Sequence, residues 1–118
     1  MIPLTLQNLF HEKPTKLWNE RMVKHGDEIF TEERLLMSDQ ALDTYLHQLI
    51  ALQETQDSER MMKAVEEVVL RFNEMNEANG YFIETMEREE LADFIDKAAR
   101  LAGLGIQDED ITEEWREW

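Results

Sequence analysis

The sequence predicts an all-α fold, a compact bundle of four or five helices around a central antiparallel helical hairpin. Three observations carry that expectation. Only four Gly and two Pro occur in 118 residues, which leaves room for few tight turns and favours long regular elements. Apolar residues recur at three- and four-residue steps over most of the chain, the period of one helix face. Helix-start and helix-stop residues stand at the ends of those stripes.

The first twelve residues hold Ile2, Leu4, Leu6, Leu9 and Phe10, and the spacing of the last three predicts a short helix over about 4–11. Pro14 suits a first helical position and Gly26 the position just past an end, so a helix over 14–25 follows, with Trp18, Met22 and His25 on an apolar face that Leu17 and Val23 widen. His25 in its last turn complements the negative end of the helix dipole. Asp27–Phe30 reads as a connector that buries Ile29 and Phe30, and Thr31 as a cap for residues 32–37. Ser38 reads as a further N-cap, stapled by Met37 and Leu42, so residues 32–54 form one helix or two. The stripe Leu42, Tyr45, Leu46, Leu49, Ile50 and Leu52 carries this segment to about Glu54.

Asp57 or Ser58 caps the next helix. In it Met61, Val65, Val68, Phe72 and Met75 step regularly, with Glu59–Lys63 and Glu67–Arg71 as expected outer pairs. Asn79-Gly80 ends it through a positive φ. Thr85 is the expected cap of the last long helix, over about 87–102. Its inner stripe is Leu91, Phe94, Ile95, Ala98, Leu101 and Ala102, its outer pairs are Asp93–Lys97 and Asp96–Arg100, and Gly103 closes it. Residues 58–78 and 87–102 are the expected hairpin. At about 107–118 an acidic tail carries Trp115 and Trp118, which either dock on the helices or serve as exposed anchors. The chain is expected to be a single domain over residues 1–118.

Charge restricts function. Twenty-seven acidic residues against twelve basic ones give a net charge of −15. That field repels nucleic acid and anionic membranes, both of which need Lys and Arg to neutralise phosphate. It attracts a basic protein or a cation, and self-association is the other partner expectation. With no Cys, no signal-like leader and no apolar run near the ~20 residues of a membrane span, the expected compartment is the cytoplasm.

Catalytic signatures are few. The three histidines, His11, His25 and His47, belong to no HExxH motif. Asp43 and His47 stand one turn apart, a solvated pair or two ligands lacking a third. There is no GxSxG, Gly-rich phosphate loop or Cys nucleophile, so no cofactor is expected. One carboxylate pattern stands out: Glu74-x-x-Glu77, twelve residues, then Glu90-x-x-Asp93. It resembles the ExxE…ExxD pattern of the all-α nucleoside triphosphate pyrophosphatases of the MazG type. That resemblance implies Glu74, Glu77, Glu90 and Asp93 as ligands of Mg²⁺, which would hold a triphosphate and activate water. Helical phase turns Glu74, Glu77 and Asp93 away from the apolar stripes and leaves Glu90 bordering the core, so this enzyme remains the alternative. The run FNEMNEANGYFIETMEREELADFIDKAARLAG with the ending ITEEWREW resembles a bacterial family of small acidic proteins of unknown function. That resemblance implies a bacterial cytoplasmic protein and supplies no site.

The leading expectation is therefore a non-enzymatic acidic interaction module that binds a basic protein as an inhibitor, adaptor or immunity-like partner. The expected contact region is the break between the last two long helices, with Asn76, Asn79, Tyr81, Glu84 and Glu87, Arg88 as counter-charge, and the tail tryptophans Trp115 and Trp118.

Overall fold

A computed structural model describes residues 5–25, 32–104 and 111–118. Among them every regular element is helical: a 3₁₀ turn (Gln7–His11), α1 (Pro14–His25), α2 (Glu32–Leu52), α3 (Ser58–Ala78) and α4 (Thr85–Ala102). The connector at Asp27–Phe30, the Thr31 cap and the start of the expected first helix lie outside the described residues, as does the side chain of His25. The first element is a 3₁₀ turn, with Leu6 and Leu9 inserted into the core. On α1 Trp18 is buried, but Leu17 and Val23 are exposed and do not widen the apolar face, which is narrower than their spacing suggests.

Residues 32–52 form one helix. Ser38 is therefore not an N-cap but a fully buried residue inside α2, its hydroxyl without a hydrogen-bond partner among the described residues. The neighbouring Asp39 explains what that turn is for. Its Oδ1 accepts from Thr15 Oγ1 at 2.8 Å and lies 2.8 Å from Lys13 Nζ, which also reaches Asp43 at 2.6 Å. Burial alone would lower the Lys13 pKa, but the hydrogen bonds and charges of the two aspartates hold it above the ordinary lysine value. Asp43 thus serves Lys13, and the His47 ring instead meets Phe10 at 5.1 Å.

From Ala41 the buried residues of α2 (Leu42, Tyr45, Leu46, Leu49) make it the element that touches all the others. The Tyr45 hydroxyl donates to the Ile95 carbonyl at 2.7 Å and ties α2 to α4. Burial first, and the charge of Asp96 second, push its pKa well up, so it stays a neutral donor.

Asp57 caps α3 by accepting from the Arg60 N–H at 3.2 Å. The α3 stripe Met61, Val65, Val68, Phe72 and Met75 is buried as its spacing predicts, and α4 buries Leu91, Phe94, Ile95, Ala98 and Ala102 opposite. The N-cap position of α4 is Glu84 rather than Thr85, with no side-chain cap bond. Of the expected outer pairs, Asp96–Arg100 forms at 2.8 Å. Glu59–Lys63, Glu67–Arg71 and Asp93–Lys97 are not among the ion pairs of the described residues, and Glu67 accepts from Gln48 instead. Long exposed side chains lose as much rotamer entropy as such a pair returns.

Gly103 closes α4 at φ 109°, and Leu104 folds back so that its N–H meets the Ala99 carbonyl at 3.0 Å. The Gln56 side chain packs beside it and donates from Nε2 to the Ala102 carbonyl at 3.1 Å. Glycine is needed at this point for its backbone angle. No helix of the described residues is long and apolar enough to cross a membrane.

Candidate functional site

The α3–α4 break is built by Asn76. Its backbone carbonyl accepts from the Tyr81 N–H at 2.7 Å, and its Oδ1 accepts from the Ile83 N–H at 2.8 Å. Asn79 spends its side chain on the Met75 carbonyl. These bonds hold Tyr81 at φ 59°, a left-handed conformation costly for an aromatic residue, and leave its ring 65% exposed. Phe82 and Ile83 turn inward, and the Arg34 guanidinium lies 5.8 Å from the Phe82 ring centroid. Met86 follows, 58% exposed.

The residues expected to gather at the break divide into two groups. Asn76 and Glu87 are withdrawn into the core and Asn79 is half-buried, so their work is structural. Tyr81 and Glu84 face solvent, and Arg88 is half-buried without an ion pair among the described residues. Glu87 shows the effect of withdrawal. Burial raises its pKa above the usual carboxylate value, against the opposing influence of its own backbone N–H and of Arg21.

The carboxylates of the ExxE…ExxD pattern are put to different uses. Glu90 Oε1 accepts from Trp18 Nε1 at 3.3 Å, and its Oε2 lies 2.5 Å from Arg21 Nη2, so it joins α1 to α4. Asp93 is exposed on α4, while Glu74 and Glu77 are exposed on α3. Among the described residues no three His, Asp or Glu side chains come together in a group that could hold a metal ion.

The tail docks. Asn73, buried in mid-helix, donates from Nδ2 to the Trp115 carbonyl at 2.8 Å and accepts at Oδ1 from the Glu117 N–H at 2.9 Å. Ile111 and Thr112 are buried, Trp115 and Trp118 are half-buried against the core, and the Arg116 guanidinium stands 5.4 Å from the Trp118 ring centroid. Between α3 and the tail lies a groove of about 260 Å³, lined by Leu70, Asn73, Glu74, Glu77, Trp115 and Glu117. A wider cavity of about 540 Å³ opens between the 3₁₀ turn, α1 and α2; Lys13 in its wall is paired with Asp39, and Lys16 and His11 also line it.

Sequence reasoning did not single out Leu70, Asn73 or Glu117. A signal for Asn73 was present: asparagine is a poor helix-interior residue, and one placed between the stripe residues Phe72 and Met75 signals a backbone to be held.

No family model, no curated protein and no solved structure matches the chain.

Proposed function

We propose that the chain is a non-enzymatic interaction module whose acidic surface engages a basic protein, as an inhibitor, adaptor or immunity-like partner would. The observation that carries this reading is Tyr81, an exposed aromatic fixed in a strained backbone by Asn76 on a chain of net charge −15. A backbone already held in place loses little freedom on binding, which is what an interface anchor requires. Met86 on the same segment adds an adaptable apolar contact. The acidic field steers a basic partner towards that anchor and rejects acidic ones.

The test is affinity capture from a native extract, followed by titration of the purified captured protein at rising NaCl. A protein with a basic surface is expected, with affinity falling steeply as salt rises. Tyr81→Gly separates binding from folding: it relieves the left-handed strain, so stability should rise by about 0.5–1 kcal/mol, while affinity should fall about tenfold or more. Salt-insensitive binding, or full affinity in Tyr81→Gly, would refute the reading.

A further inference from the structure

Leu70, Asn73, Glu74 and Glu77 stand at i, i+3, i+4 and i+7, a single face of α3, and the docked tail closes that face into the groove. Its apolar wall is Leu70, 42% exposed, with the half-buried Trp115. Its rim carries the carboxylates of Glu74, Glu77 and Glu117. None of the three enters an ion pair among the described residues, and no described Lys or Arg lines the groove. The three are also too dispersed to hold a metal ion. About 260 Å³ falls below the usual range of small-molecule sites and suits one long side chain.

The molecule itself shows the two halves of such a contact separately. Between α1 and α4, Glu90 takes both the Trp18 N–H and the Arg21 guanidinium. In the tail, Arg116 lies against the Trp118 ring. The groove repeats the indole and the carboxylates and lacks the arginine.

We propose that this groove seats an arginine side chain presented by the basic partner, a step that rests on the reading above. The aliphatic stem lies along Leu70, the planar guanidinium stacks on Trp115, and its N–H groups donate to the rim carboxylates. Lysine fits less well, because a compact, strongly hydrated ammonium neither stacks nor forks between acceptors.

The test is an NMR titration of the full chain with a blocked alanine-rich peptide carrying one central arginine. The Trp115 indole N–H and Leu70 methyl signals are expected to move. Removing two rim charges in Glu74→Gln/Glu77→Gln should weaken binding about tenfold. A control of equal charge change on other surfaces, Glu32→Gln/Glu59→Gln, should alter it by about twofold at most. Equal losses in the two double variants, or signal changes that miss Trp115 and Leu70, would overturn the proposal. A captured basic protein that binds Glu74→Gln/Glu77→Gln at full affinity would overturn the groove and leave the broader reading standing. Seating of the peptide without any basic protein captured would do the reverse.

Discussion

Two indoles in this chain sit beside carboxylates, and the molecule treats them differently. Trp18 is fully buried, and Glu90 gathers its N–H together with the Arg21 guanidinium, both ions about 22% exposed. Trp115 is half-buried and held through its backbone by Asn73, while Glu74, Glu77 and Glu117, which line the same groove, enter no ion pair among the described residues. The first arrangement pairs its charges within the chain and joins α1 to α4. The second leaves three carboxylates around one groove with no described cation paired to them, a small standing cost to the fold.

The largest effect should come from emptying the closed face. Trp18→Ala removes a fully buried indole and is expected to cost about 3–5 kcal/mol, a large share of the 5–15 kcal/mol by which a domain is usually stable. Urea unfolding measures it; a loss under about 1 kcal/mol would mean that Trp18 is not a core contact. The corresponding change on the open face is smaller. Asn73→Ala removes both bonds to the tail and should cost about 1–3 kcal/mol. Amide exchange should quicken at residues 115–117 while α1 and α4 keep their protection. Uniform loss of protection would show that the tail is not a separable unit.

The sharpest comparison uses one chemical change on both faces. Glu90→Gln keeps the shape but removes the charge that Arg21 meets, with an expected loss of about 1–2 kcal/mol. Glu74→Gln/Glu77→Gln should leave stability within about 0.5 kcal/mol of the parent, on the stabilising side. A destabilised double variant would mean that these carboxylates already have partners inside the chain.

Local chemistry explains which parts of this were legible in the sequence. The ends of α1 at Pro14 and His25, the Met61–Met75 stripe and the Gly103 cap rest on spacing and backbone angle, and each stands where its residues put it. Ser38 misled because an N-cap signature is local, while the reason for a small buried residue there lies in the contacts of α2 with the rest of the fold. The Trp18–Glu90 bond spans 72 positions, and no periodicity announces such a pairing. Helical phase placed Glu74 and Glu77 correctly away from the α3 stripe. It did not reveal that the tail would lie beside them and turn a solvated face into a groove.

Glu87 tests how complete the closed face is. Only 6% exposed at the first turn of α4, it has its pKa raised chiefly by burial, with the charges of Glu84 and Glu90 reinforcing the rise. Its own backbone N–H and Arg21 pull the other way without prevailing. The folded chain thus holds this proton more tightly than the unfolded chain. The resulting stability is present in full below the usual glutamate value of 4.5 and is lost as pH rises through the folded-state value. Glu87→Gln removes the charge that burial opposes, so the variant should melt above the parent at pH 7, with the gap closing towards pH 4. A variant that melts below the parent at pH 7 would mean that Arg21 stabilises the Glu87 carboxylate as well as Glu90. One arginine would then serve both carboxylates of the closed face, and its contrast with the open groove would widen.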